Sequence, residues 1–170
     1  MPEIRDYNLP WFEMAERLIG TQEDTSYRSN PKIMQWAKDI GGWVASYYKD
    51  DSIPWCGLFV AHCFSSVGVD FEIKNPLSAL AWNQFGVKCE PCPGAVMVFT
   101  RSGGGHVGFY VSEDDTTFHI LGGNQSDSVN ITKVAKARFV GARWPKDLEH
   151  LRTPGRVKKR FDGKLSTNEA

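Results

Sequence analysis

Net charge is the first thing this 170-residue chain lacks: twenty Lys and Arg balance twenty Asp and Glu, with four histidines besides. A dedicated nucleic-acid binder carries a clear basic excess, so no nucleic-acid partner is expected. No uninterrupted apolar run approaches bilayer-spanning length, which argues against stable membrane insertion. The start, Met1-Pro2-Glu3-Ile4-Arg5-Asp6, has neither the basic cluster nor the apolar stretch of a secretion signal. Synthesis in the cytoplasm is therefore expected, and work outside it would need a separate delivery route. Cysteine is scarce too: only Cys56, Cys63, Cys89 and Cys92. They are expected as reduced thiols rather than as a disulfide framework. Cys56 and Cys63 lie two turns apart on one predicted helix, too far to bridge.

What the chain does have is enough apolar and aromatic side chain, six Trp and ten Phe among them, to fill one core. Pro10 opens a segment with Trp11, Ala15 and Leu18 on one face, and Gly20 stops it. Asn30-Pro31 caps a second helix with Ile33, Trp36, Ala37 and Ile40 inward, closed by Gly41-Gly42. Asn75-Pro76 repeats that device before Leu77, Leu80 and Ala81. Between these, Ile53-Pro54-Trp55 leads into an apolar helix over Cys56 to Val67. After Pro93-Gly94 the character turns to strands, over Ala95–Phe99, Val107–Val111, Thr117–Leu121, Val129–Thr132 and Ala137–Arg143. Helices followed by strands predict an α+β fold with a mostly antiparallel sheet packed on the helix of Cys56. Residues 1–145 are expected to form the catalytic domain and 146–170 a basic, partly disordered tail. That tail holds seven Lys or Arg against four Asp or Glu.

The chemistry gathers at three places. Pro54-Trp55-Cys56-Gly57 sets a thiol at a helix start, where unpaired backbone N–H groups and the macrodipole favour the thiolate. The Cys56 N–H would serve as one donor of an oxyanion hole. Gly105-His106-Val107 sets an imidazole at the start of a strand, able to hold the thiol proton and pass it to a leaving amine. Gly122-Gly123-Asn124-Gln125 supplies a polar amide just beyond the next strand, where a neighbour in an antiparallel sheet could reach His106 and orient it. Trp55, Gly57 and Gly105 are expected to face the substrate.

Each of these signals has a plainer explanation when taken alone. A cysteine in an apolar helix is usually core, and Cys63 is read so. His62 falls on a different helix face from Cys56, His150 belongs to the tail, and His119 is the reserve candidate for the base. Cys89-Glu90-Pro91-Cys92 lacks the two further ligands a structural zinc requires and leads into a strand, so it reads as a stiff turn with incidental thiols. No metal or organic cofactor is called for.

Taken in order, Pro54-Trp55-Cys56-Gly57-Leu58-Phe59-Val60, Pro93-Gly94-Ala95-Val96-Met97-Val98-Phe99, Gly105-His106-Val107-Gly108-Phe109-Tyr110-Val111 and Gly122-Gly123-Asn124-Gln125 resemble the CHAP and NlpC/P60 group of papain-like cysteine peptidases and amidases. The resemblance spans about Pro10 to Pro145; Ala95 stands where the group often has an acidic residue. It implies a papain-like fold with Cys56 as nucleophile, His106 as base and Asn124 as third member. It further implies a monomeric hydrolase of peptidoglycan amide bonds working through a thioester. A phage endolysin released through a holin-type lesion, or an effector delivered by a secretion machine, would fit that role. The alternatives on the same fold are an acyltransferase and a non-catalytic binding module of a phage particle.

Overall fold

The computed structural model describes residues 7–23, 30–48, 54–167 and 169. Ile53, named above in the approach to the Cys56 helix, lies outside them. Four α-helices come first: α1 (Pro10–Arg17), α2 (Pro31–Ile40), α3 (Gly42–Tyr47) and α4 (Cys56–Ser65). Six strands follow: β1 (Val87–Lys88), β2 (Val96–Arg101), β3 (Gly104–Glu113), β4 (Thr117–Gln125), β5 (Ser128–Ala135) and β6 (Phe139–Trp144). They form one antiparallel sheet in the order β1-β6-β2-β3-β4-β5. The fold is α+β, compatible with the papain-like arrangement that the resemblance implies. Among the described residues no helix is long and apolar enough to cross a membrane.

Local chemistry explains the helix ends. Asn30 Oδ1 accepts from Lys32 N at 2.8 Å, and Pro31 occupies the first helical position, where its missing N–H costs nothing. Helix α1 has no side-chain cap; Trp11 Nε1 instead ties it to Gly94 O at 2.9 Å. Helix α4 is apolar nearly all round and buried along Cys56–Ala61, Cys63 and Phe64, so it forms the centre of the domain. Helices α1 and α2 and strands β3 and β4 all pack against it. His62 on α4 is half-buried and stacks on Trp36 at 4.8 Å.

Strands β3 and β4 are covered on both faces, which is why they read as near-continuous apolar runs without alternation. On the face away from the helices Met97, Phe99, Tyr110, Phe118 and Ile120 make a second, smaller core. The reserve histidine belongs to structure. His119 is fully buried, with Nδ1 at 2.7 Å from Ser112 Oγ and Nε2 at 3.0 Å from Asp114 Oδ2.

Three readings change. The segment after Asn75-Pro76 makes a turn and then a 3-10 helix, Ala79–Gln84, because Trp82 Nε1 reaches back to Pro76 O and tightens the coil. Strand β4 runs on to Gln125, so Gly122 to Gln125 lie within the strand and not beyond it. The stretch expected to trail away from Lys146 lies against the sheet: Thr153 Oγ1 donates to Pro93 O, Val157 N to Tyr110 Oη and Lys133 N to Lys164 O. Cys89 and Cys92 are free thiols hydrogen-bonded to each other; the contact from Cys89 and Thr153 brings the Cys92 pKa down to about 7.

Candidate active site

Helix α4 begins at Cys56 itself, after Trp55 at φ −125° and ψ 17°, with no side-chain cap. The first-turn N–H groups are therefore free of intrahelical partners at the sulfur. The Cys56 thiol also meets the backbone N–H groups of Gly57 and Val107, so it lies one residue from His106 across the helix–sheet boundary. Cys56 opens onto a groove of about 430 Å³ with Trp43, Tyr47, Leu77, Leu80 and Arg101 among its walls. Trp43, Tyr47 and Leu80 are substantially exposed there, an apolar rim on an otherwise buried centre.

Gly105 lines this groove, as expected of a residue facing substrate. Trp55 and Gly57 do not. Trp55 is fully buried and its Nε1 donates to Glu23 Oε1 at 3.0 Å. A Cβ on Gly57 would stand 2.1 Å from Pro76 O, so this glycine admits the chain's own backbone, not a substrate's. Gly57→Ala should lower stability by about 1–3 kcal/mol through overpacking against a main-chain atom, measured by chemical denaturation.

His106 is fully buried at the start of β3. Its Nε2 lies 2.9 Å from Gln125 Oε1. The orientation of that amide follows from its neighbours. Gln125 Nε2 donates to Ile120 O at 3.1 Å, Asn130 O at 2.8 Å and Asn130 Oδ1 at 3.0 Å, all acceptors. Asn130 is itself fixed, because its Nδ2 donates to Gln125 O and Ser128 Oγ. The oxygen of Gln125 must therefore face His106, and the imidazole carries its proton on Nε2. Nδ1 is left as a bare lone pair, and it makes no hydrogen bond.

Asn124, the expected partner of His106, points elsewhere: its Nδ2 donates to Glu169 O at 2.8 Å. The cause is a bulge. Gly122 pairs with Asn130 and Gln125 with Ser128, so β4 spends one more residue than β5 over this interval. Asn124 absorbs the extra residue at φ 58°, a left-handed conformation that asparagine tolerates. The bulge carries Gln125 under the imidazole. Gly122 leaves the space its amide fills, since a Cβ there would sit 2.7 Å from Gln125 Oε1.

Burial sets the charge state of the pair. It raises the Cys56 thiol pKa, against the lowering by the Val107 and Gly57 N–H groups and Arg101. It also lowers the His106 pKa, against the opposing pull of Glu169 and Gln125. A thiol raised above its ordinary value and an imidazole lowered below its own are both neutral at pH 7. Alkylation of Cys56 by iodoacetamide should therefore still accelerate as pH passes 9.0, the ordinary thiol value. A plateau reached below pH 7 would instead indicate a preformed thiolate–imidazolium pair.

Residues 47–124 match the family model described as CHAP domain. The match is consistent with the CHAP and NlpC/P60 group. The matched stretch takes in Cys56 and His106 and stops at Asn124, one residue short of Gln125. CHAP domains are typically hydrolases of peptide and amide bonds, peptidoglycan among their substrates. No curated protein and no solved structure matches the chain. Besides Gln125, the sequence reading missed two groups beside His106: Glu169, whose Oε1 lies 3.9 Å from Nδ1, and Arg138, which holds that carboxylate.

Proposed function

We propose that this chain is a cysteine amidase or endopeptidase of peptidoglycan, with Cys56 as nucleophile, His106 as base and Gln125, in place of Asn124, as the group that orients the base. The observation that carries this reading is the tautomer of His106. Gln125 occupies Nε2–H, which leaves the Nδ1 lone pair open on a histidine one residue from the N–H that contacts the Cys56 sulfur. An imidazole serving structure alone has both nitrogens satisfied, as His119 does.

The steps follow from these atoms. Cys56 Sγ attacks the carbonyl carbon of a substrate amide as its proton passes to His106 Nδ1. The oxyanion faces the free N–H groups at the start of α4. The imidazolium then gives its proton to the leaving amine, and the C–N bond breaks to a thioester on Cys56. Water, deprotonated by Nδ1, attacks the thioester and releases the acid and the thiol. Each step asks the imidazole to alternate between neutral and charged forms, and Gln125 Oε1 accepts from Nε2–H in both.

Digestion of purified peptidoglycan, with the fragments read by mass spectrometry, tests this reading. Free amines and carboxylates in equal number, at a single kind of amide, are the expected products. Amide exchange without net hydrolysis, or no change in the walls, would overturn it.

A further inference from the structure

The segment beyond β6 ends its path inside the site. It runs along β5, the free edge of the sheet, where Lys133 N donates to Lys164 O at 3.0 Å and Ser166 N to Lys133 O at 2.8 Å. Asp162, Lys164, Leu165 and Thr167 remain exposed along the way, so little apolar surface holds the segment down. Glu169 is different: its side chain is fully buried. Its carboxylate forks across Arg138, with Nη1 at 3.1 Å from Oε2 and Nη2 in close contact with Oε1, and Ser166 Oγ also donates to it. Its backbone carbonyl accepts from Asn124 Nδ2.

Both groups that receive this residue are also held by the sheet. Arg138 is aimed by β2, its Nε donating to Thr100 O at 2.8 Å, although Nη1 also reaches Ser166 O. Asn124 is aimed by the bulge of β4. One group recognises a peptide carbonyl and the other a carboxylate, and His106 Nδ1 lies 3.9 Å from that carboxylate. A guanidinium this enclosed calls for an anion, and a planar carboxylate matches its fork.

We propose that Asn124 and Arg138 form a subsite for an acidic residue of the substrate peptide, next to the bond that is cut, and that Glu169 fills it as a stand-in supplied by the chain. This rests on the reading of Cys56 and His106 as the reacting pair. The occupant competes with substrate for the subsite, so the free chain binds an acidic peptide more weakly than the subsite itself would.

Binding of N-acetylglutamyl methylamide, and of its glutaminyl counterpart, is to be measured by calorimetry on the full chain carrying Cys56→Ala. Adding Glu169→Ala should tighten the glutamyl probe by about tenfold or more and leave the glutaminyl probe weak. Glu169→Gln, which keeps the shape of the occupant, should give a smaller gain in the same direction and serves if the alanine variant fails to fold. Arg138→Gln added to either should abolish the gain. Equal binding of the two probes, no effect of residue 169, or a gain that survives loss of Arg138 would each overturn the subsite. Hydrolysis plays no part in this measurement. Cell-wall digestion by Cys56→Ala protein would refute the hydrolytic reading while leaving the binding result standing.

Discussion

Cell walls treated with the Cys56→Ala protein should stay intact, with kcat/KM down by about four orders of magnitude or more. The size of the effect follows from the role assigned to the sulfur. Among the described residues that line the groove, Cys56 alone carries a thiol. Cys63 is buried in the core of α4, and Cys89 and Cys92 contact each other beside Thr153. Removing Cys56 therefore removes the bond-forming atom without offering a substitute. The fold should survive, because one small buried sulfur is lost at a helix end and not from the middle of the core. Wild-type thermal unfolding together with lost lysis is the expected pair of readings. Retained lysis would show that the thiol is not the nucleophile.

The second large effect separates two neighbours. Gln125→Ala should lower kcat by about 10²-fold, since the imidazole loses the acceptor that holds its tautomer and its aim. The variant also frees Asn130 and the Ile120 carbonyl from a buried amide, so a stability loss of about 1–3 kcal/mol accompanies it. The pH profile tells positioning from mere destabilisation: a mispositioned imidazole changes the shape of the kcat profile, whereas partial unfolding only scales it. Asn124→Gly keeps the left-handed backbone and removes the amide. Its effect should fall on KM for acidic substrates, with kcat within a few-fold of wild type. If Asn124→Gly lowers kcat as far as Gln125→Ala does, the assignment of Gln125 as the orienting group fails.

The sequence pattern reaches far into this fold because its signals are local. Pro31 after Asn30, Pro10 before Trp11, and the apolar run from Cys56 each report a helix through chemistry confined to a few residues. The strands are legible from apolar content, and Cys56 and His106 from their positions at element starts. Asn124 against Gln125 was beyond that reach. Strand alternation assigns one of two adjacent residues to each face, but a single extra residue in β4 reverses the assignment, and a bulge depends on β5 as much as on β4. Gly57 misled for a similar reason. A glycine beside a nucleophile admits some close neighbour, and only the path of Pro76 shows that the neighbour is the chain itself. Glu169 and Arg138 meet across 31 residues through an edge pairing that no local pattern encodes. The basic composition after Lys146 gave no sign that an acidic residue near its end would be the one to enter the site.

The central claim is that Cys56 carries the acyl group of a peptidoglycan amide while His106, held by Gln125, moves the protons. Trapping the intermediate tests it most directly. Peptidoglycan fragments are mixed with the protein, quenched in acid within a turnover, and the protein is mapped by mass spectrometry. The account predicts an acyl adduct on the peptide that contains Cys56, labile to hydroxylamine as a thioester is, and scarce when His106 is replaced by alanine. Continued release of amine from the substrate with no adduct on Cys56, or with the adduct on another residue, would contradict it.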